Sequence, residues 1–306
     1  MISLVRDKYQ VKEDFLEQKI LSRFYPPLMS GWTLNKLFPK LMFKLDWLKD
    51  KWIHYCNPMF PVNHEDKRIV TFHDFLFNFN TKDGHSYDHK LIEKFRECPY
   101  LLSDSNHTAN EGYNYGFKEN FTVLRPSGKE YHKVVGLKKP KEFEGKKLIL
   151  SVGTTIKRKN PEMIKKVVNE LGSDYILVRV GAPLGANHEK VYQNLDFQTM
   201  NYLYNICDVL FFPSHDEGFG YPPIEALKTG LPSVVSDIDI FRETLGDAAI
   251  FVDRNSVESG IGGIVEAIEG KSELEKRQIP WRQFYTPERF EKELLEFYSQ
   301  RVGAEI

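Results

Sequence analysis

Residues 209–230, VLFFPSHDEGFGYPPIEALKTG, decide the fold of this chain. VLFFPS is a short apolar run that ends at a proline and a serine, a pattern typical of a buried parallel strand that runs into a loop. The loop places two glycines around Phe219, and two prolines then fix the start of a helix. The stretch therefore predicts a strand, a glycine loop and a helix whose first turn presents Glu225.

This loop and helix start suit an anionic ligand that also carries hydroxyl groups. Unpaired backbone N–H groups and the helix dipole favour negative charge at this place. Glu217 and Glu225 lie eight positions apart, so both carboxylates can face the crevice at the carboxyl end of the strand and accept hydroxyl protons. A sugar nucleotide meets both demands. The alternative is that Glu217 is a solvated loop charge and Glu225 only stabilises the helix.

The motif extends well beyond the loop. PSHDEGFGYPPIEAL, at residues 213–227, resembles the signature of the retaining glycosyltransferases of the GT-B fold, family four, in which two glutamates bracket an EGFG loop. The similarity continues through residues 229–253 and is also present at 151–161, SVGTTIKRKNP. The resemblance implies an α/β protein in which two Rossmann-like domains face a cleft. It also implies transfer of a sugar from a nucleoside diphosphate sugar to an acceptor hydroxyl, with no metal and no other cofactor.

The domain organisation follows from the alternation of strand and helix patterns in the second half, which predicts a doubly wound parallel sheet. We expect a nucleotide-sugar-binding domain at 141–285 and an acceptor-side domain at 1–140. The family usually opens with an apolar strand and a glycine-rich loop, and neither is visible here, so the N-terminal domain is expected to be reduced. A C-terminal helix at 286–306 crosses back onto the N-terminal domain in the resembling family.

The donor site is predicted around a basic turn, Lys157–Lys159, just before a helix that Asn160 is expected to cap. Cations at this point can bind a diphosphate. The alternative interpretation is that the three charges are exposed to solvent at a helix start and bind no ligand. The resemblance implies that Lys159 contacts the donor phosphates and that Arg158 replaces an arginine usual at the position of Thr154. It further implies that Glu225 holds the ribose hydroxyls and that Glu217 lies near the transferred sugar. The implied donor-binding set is Gly153, Thr154, Arg158, Lys159, Gly181, Gly218, Phe219, Gly220 and Glu225.

The acceptor side is predicted at His73 and Asp74, which end the apolar run RIVTF. The resemblance implies that His73 points into the cleft near the sugar, where an imidazole can bond a hydroxyl or handle a proton. A purely structural histidine is the alternative. The catalytic residues implied are Glu217, His73, Lys159 and Arg158. His85, Asp88 and His89 share a helix face at metal-ligand spacing, but no further ligand cluster accompanies them, and no metal site is expected.

Residues 34–52 form an amphipathic pattern with a lysine face. One interpretation is a surface helix that makes peripheral contact with the inner face of an anionic membrane, where a lipid-linked acceptor would lie. The other is a core helix with a solvated lysine face. The expected partners are therefore the nucleotide sugar and a glycan, lipid-linked or protein acceptor.

Composition excludes several other classes. Forty-two lysines and arginines nearly balance 43 acidic residues, so no global basic field exists for nucleic acid. Three widely spaced cysteines and the absence of an apolar signal segment predict a cytoplasmic protein with reduced thiols. No G-x-G-x-x-G follows a strand, which disfavours a dinucleotide-dependent oxidoreductase. The rival functions are a catalytically inactive nucleotide-sugar-binding or scaffold protein with the same fold, and a GT-B epimerase or phosphorylase.

Overall fold

The computed structural model of the chain describes residues 53–55, 68–75, 93 and 95–302. The predicted basic helix at 34–52 and the weak metal candidate at 85–89 lie outside the described residues. Of the helices that are described, none is both long and apolar enough to cross a membrane.

The first sheet has four parallel strands among the described residues, in the order β1-β2-β3-β4. Helix α1 follows β3 and begins after Ser105, whose side chain accepts a hydrogen bond from the backbone N–H of Thr108. The core beneath the sheet is a cluster of aromatic rings that includes Phe72, Phe75 and Phe95. The elements are β1 (Ile53–Tyr55), β2 (Arg68–Phe72), β3 (Tyr100–Ser103), α1 (Asn106–Asn114) and β4 (Phe121–Val123).

The second sheet has six parallel strands in the order β10-β9-β8-β5-β6-β7. Its central strands are buried on both faces because their apolar runs are continuous, not alternating. The edge strand β7 is polar and half exposed, and for that reason the sequence pattern did not predict it. The strands are β5 (Lys147–Val152), β6 (Tyr175–Val180), β7 (Glu189–Tyr192), β8 (Val209–Phe212), β9 (Ser233–Ser236) and β10 (Ile250–Val252).

Seven further α-helices lie in the described part of the chain, and all but the last of them cover the faces of the second sheet. One buried cluster packs α3, α4 and α5 against one face, and another packs α2 and α6 against the opposite face. This is the doubly wound arrangement that the alternating pattern predicted. The helices are α2 (Pro161–Leu171), α3 (Phe197–Ile206), α4 (Tyr221–Thr229), α5 (Asp239–Leu245), α6 (Val257–Glu269), α7 (Lys271–Phe284) and α8 (Pro287–Phe297).

Helix α8 returns to the first sheet. Phe290, Leu294 and Phe297 of this helix share a buried cluster with Ile69 of β2 and with residues of β3 and the segment after β4. The chain therefore passes between the two sheets twice, once after β4 and once between α7 and α8.

Two local predictions are wrong. Asn160 does not cap α2, because its backbone is left-handed (φ 53°) and its Nδ2 donates instead to the carbonyls of Pro213 and Arg254. Helix α4 begins at Tyr221, earlier than the prolines suggested. Glu225 therefore lies in the second turn of α4 and not in the first.

His54 links the first sheet to the C-terminal segment. Its Nδ1 lies 2.6 Å from the Tyr298 hydroxyl, and its Nε2 lies 2.7 Å from the Thr71 hydroxyl. Burial and the neighbouring His73 lower the pKa of His54 from 6.5 to about 4. As the pH falls, His54 is therefore protonated in the unfolded chain before it is protonated in the folded protein. The stability that the neutral His54 contributes is present above the unfolded pKa and is lost as the pH falls toward the folded pKa.

Between pH 7 and pH 5 we expect the free energy of unfolding to fall by about 2 kcal/mol less in His54→Gln than in the wild type, because glutamine does not titrate. Denaturant unfolding of both proteins at the two pH values measures the difference. The matched control is His188→Gln at an exposed histidine, which should keep the wild-type loss. Equal losses for His54→Gln and the wild type would contradict the assignment.

Candidate active site

Two loops of the second domain meet at one edge of its sheet. Strands β5 and β8 are parallel neighbours, so the loops at their carboxyl ends lie side by side. A 3-10 turn, Lys157–Lys159, follows β5, and the glycine loop follows β8. The backbone N–H of His215 donates to the carbonyl of Arg158 at 2.8 Å and ties the loops together.

A buried ion cluster occupies the junction of these loops. Lys159 Nζ donates to Glu217 Oε1 at 2.5 Å, and Arg158 Nη1 donates to Glu217 Oε2 at 2.9 Å and to the carbonyl of Asp216 at 3.0 Å. The Glu217 side chain is only 7% exposed. Burial lowers the pKa of Lys159, and the charge of Glu217 opposes this shift. The sequence predicted all three side chains at the site but not that one carboxylate holds both cations.

The wall beside this cluster is built by the ends of β5 and β6. A side chain at Gly181 would place its Cβ 2.1 Å from the carbonyl oxygen of Gly153, so the two backbones need a residue without a side chain here. Arg179 is buried and donates to the carbonyls of Gly153 and Thr154 at 2.6 and 3.2 Å. Sequence reasoning missed Arg179, whose signal was a lone charge inside the apolar run YILVRV.

Glu225 is buried on α4, away from the ion cluster. The hydroxyl of Tyr204 donates to its Oε2 at 2.7 Å, and burial raises the pKa of Glu225. Near it, the ring of Tyr131 stacks on Phe197 at 4.6 Å between centroids, and the Phe197 side of the pair is exposed. Tyr204 therefore fixes this carboxylate, a role that the sequence did not indicate.

The remaining residues of the glycine loop shape the backbone. Phe219 is buried, with its ring against those of Tyr221 and Tyr285 at 5.2 and 6.0 Å. Gly220 has a left-handed backbone (φ 86°) directly before α4. The buried ring of Phe219, between the two glycines, therefore fixes the position of the loop.

His73 and Asp74 follow β2 on the first domain, where the sequence predicted the acceptor side. His73 Nδ1 lies 2.7 Å from Asp104 Oδ2, and the Asp104 side chain is 4% exposed. A carboxylate bonded to Nδ1 fixes the orientation of the imidazole ring. Asp104 was not predicted, although it directly follows β3, the strand that pairs with β2.

The two domains meet at Gly218. An added Cβ at this glycine would lie 2.0 Å from the carbonyl oxygen of His73. The Gly218 carbonyl accepts hydrogen bonds from the hydroxyls of Ser105 at 2.9 Å and Thr108 at 3.2 Å. The structure therefore brings Gly218 against the first domain, where the sequence had assigned it to the donor.

Glu243 of α5 holds the first domain from a second direction. Its carboxylate accepts from the backbone N–H groups of Asn106 and His107 at 2.8 and 2.9 Å, and Arg125 Nη2 donates to it at 2.7 Å. A carboxylate at the N-terminus of α1 is favoured by the helix dipole. Helix α1 is thus docked on the second domain by its first turn.

Residues 137–280, slightly less than half of the chain, match the family model of the glycosyl transferases group 1. The chain is 42% identical over 73 residues to O-antigen chain mannosyltransferase RfbU of Salmonella typhimurium, a match that covers 23% of this chain and 21% of that protein. It is 32% identical over 89 residues to O-antigen chain mannosyltransferase B of Escherichia coli, covering 29% of this chain and 21% of that protein. The chain thus spans about a fifth of the length of these curated relatives.

Solved structures share the fold over most of the chain. Sucrose-phosphate synthase from Thermosynechococcus elongatus superposes with a TM-score of 0.72 at 16% identity, over 92% of this chain and 82% of that one. HepE from Anabaena, in complex with UDP and glucose, superposes with a TM-score of 0.62 at 12% identity, over 76% and 71%. The predicted GT-B fold and the resemblance to its glycosyltransferases are confirmed.

We expect Gly218→Ala to push the two domains apart, because its Cβ meets a backbone carbonyl that cannot turn away. The free energy of unfolding should fall by about 1–3 kcal/mol, and the radius of gyration from small-angle X-ray scattering should rise. In the matched control, Gly262→Ala in α6, the Cβ meets open space, and a stability gain of about 0.5–1 kcal/mol is expected. An unchanged radius and stability for Gly218→Ala would refute the close contact.

Proposed function

We propose that this chain, whose second domain matches the family model of the glycosyl transferases group 1, is a retaining glycosyltransferase. It moves a sugar from a nucleoside diphosphate sugar to an acceptor hydroxyl, and the transfer needs no metal on the diphosphate. The observation that carries the proposal is the ion cluster of Lys159, Arg158 and Glu217 at the carboxyl ends of β5 and β8.

The charge balance of this cluster favours a dianionic ligand. Two cations share one carboxylate, so the three side chains together carry one excess positive charge. Both cations lie in partly buried surroundings, where an ion pair is stronger than in water. A diphosphate that enters between the loops takes over hydrogen bonds from Lys159 and Arg158 and leaves Glu217 free to face the sugar.

The catalytic contribution is stabilisation of the leaving group. When the anomeric C–O bond breaks, negative charge develops on the diphosphate, and fixed cations stabilise that charge without reorganisation. Lys159 and Arg158 provide the fixed charge, and the buried Arg179 holds the adjoining loop backbone in place. The acceptor attacks from the same face, and the departing phosphate assists removal of its proton.

The two glutamates act on different parts of the donor. Glu217, in the loop, orients sugar hydroxyls and stabilises positive character at the anomeric carbon. Glu225 binds the ribose hydroxyls, and the Tyr204 hydroxyl holds its carboxylate in one orientation for this contact. The exposed face of Phe197, backed by Tyr131, offers a surface for the base.

The first domain supplies the acceptor side. Asp104 orients His73 through Nδ1, and we assign the other ring nitrogen, Nε2, to a hydroxyl of the sugar or acceptor. Asp74 lies beside it, near Gly218 of the opposite domain. A glycan is the proposed acceptor, free, lipid-linked or protein-bound, since the curated relatives include O-antigen chain mannosyltransferases. For the same reason mannose is the proposed sugar.

The primary test is a thermal-shift screen of the full chain against UDP, GDP and ADP sugars, with GDP-mannose and UDP-glucose included. A ligand that binds only the folded state raises the apparent melting temperature. Transfer to an acceptor or slow donor hydrolysis should then appear with the stabilising sugar. Stabilisation without any turnover would favour the inactive binding protein, and no stabilisation by any nucleotide sugar would overturn the proposal.

We expect Glu225→Ala to weaken binding of the stabilising nucleotide sugar by about tenfold or more, because loss of a hydrogen bond to a charged group costs about 1.5–3 kcal/mol. Isothermal titration calorimetry measures the change. Glu269→Ala, at an exposed glutamate of α6, is the control and should bind as the wild type does. Wild-type affinity in Glu225→Ala would remove the ribose assignment.

Lys159→Ala should lower kcat by about 10²–10³-fold, the usual effect of removing one group that stabilises developing negative charge. The neighbouring and exposed Lys157 provides the control, since Lys157→Ala changes the same net charge outside the cluster. Circular dichroism checks that both variants fold. If the two variants turned over equally fast, Lys159 would not contact the leaving group.

A further inference from the structure

We infer that His107, Glu111 and Asp216 form a binding site for a divalent transition-metal cation, with Zn²⁺ as the best match. The site joins the two domains, because His107 and Glu111 belong to α1 and Asp216 belongs to the loop after β8. It goes beyond the proposed function, since none of the three side chains has a role in the transfer reaction.

The geometry converges from both domains. His107 and Glu111 are four residues apart on α1, so they lie on one face of the helix. Asp216 faces them from the opposite loop, with its Oδ1 at 3.5 Å from His107 Nε2. The three potential ligand atoms all lie within 4.8 Å of one another.

Two of these atoms are buried without a hydrogen bond. His107 Nε2 and Glu111 Oε2 are both inaccessible to solvent and make no hydrogen bond among the described residues, and the contact of His107 Nε2 is its 3.5 Å ion pair with Asp216. A buried polar atom that makes no hydrogen bond is energetically unfavourable. One cation bound between them and Asp216 satisfies both atoms at once.

The surrounding charges favour a cation. Asp74 adds a carboxylate that acts on Glu111, and Asp239 adds one that acts on His107. Four carboxylates therefore lie around this point, together with the imidazole of His107 and the ammonium of Lys159, which acts on Asp74. A divalent ion offsets this excess of negative charge.

Other contacts hold the ligands in place from both sides. Asp216 Oδ1 accepts from the backbone N–H of Glu217 at 2.8 Å, and the Asp216 carbonyl accepts from Arg158. On α1, Glu243 accepts from the N–H of His107 at 2.9 Å. The ligand-bearing segments are therefore anchored before any ion arrives, which lowers the cost of binding it.

The donor set selects the ion. One imidazole nitrogen and two carboxylate oxygens suit Zn²⁺, which binds such atoms at about 2.0–2.2 Å and leaves a fourth position for water or a ligand. Mg²⁺ and Ca²⁺ prefer oxygen atoms alone. A bound Zn²⁺ would tie α1 to the loop that carries Glu217, and so add a link between the two domains.

The test uses the full chain without a histidine tag, stripped of metal by chelation. Titration with ZnCl₂ in a calorimeter should show a single saturating site, and Co²⁺ in its place should give visible d–d absorption. His107→Ala and Glu111→Gln should each weaken Zn²⁺ binding at least tenfold, whereas His188→Ala at an exposed histidine should bind as the wild type does. Zn²⁺ should also raise the melting temperature of the wild type and of His188→Ala only.

Equal Zn²⁺ affinity in the wild type and His107→Ala, or binding without saturation, would overturn the inference. Circular dichroism of the metal-free variants shows whether they fold, and Glu111→Gln keeps the size of the side chain if the alanine variant fails. Since the titration contains no nucleotide sugar, its failure leaves the transferase proposal standing, and the reverse also holds.

Discussion

The structure depends on one buried carboxylate that two cations share. Glu217 lies in the loop after β8, and its partners Lys159 and Arg158 lie in the turn after β5. Removing one partner from a buried ion pair typically costs about 3–5 kcal/mol, so the two loops hold each other in register. This interaction also keeps two positive charges concentrated where the sheet ends, although the chain as a whole is close to neutral.

The first domain packs closely against this loop. Gly218 follows Glu217 directly and lies against the backbone after β2, and its carbonyl is held by the hydroxyls of Ser105 and Thr108. Glu243 adds a second attachment at the first turn of α1. The position of His73 relative to the ion cluster is therefore set by contacts that involve backbone atoms, which side-chain flexibility cannot relax.

Much of this arrangement follows from local sequence. The apolar run of β8 and the prolines at the start of α4 were sufficient to predict the strand and the helix. These features depend on neighbours a few residues away, and local patterns record such neighbours well. The GT-B arrangement followed from the resemblance and not from periodicity.

The pairings within the site could not be predicted in the same way. Asp104 bonds His73 from another strand, Tyr204 bonds Glu225 from another helix, and Arg179 supports the loop after β5 from β6. Each partner is distant in sequence, so only the assembled sheet shows the contact. The predicted helix cap at Asn160 was wrong for a related reason. Its side chain donates to the carbonyls of two residues distant in sequence and not to the start of α2.

The return of α8 to the first sheet has a mechanical consequence. The segment after β4 and the segment between α7 and α8 both run between the domains, and the start of α8 holds the first of them, since the Arg289 guanidinium donates to the carbonyl of Arg125. Two adjacent crossings restrict the relative movement of two domains more than one crossing does, and rotation about the line through them is the movement they restrict least. Such a rotation would keep His73 opposite the same part of the glycine loop.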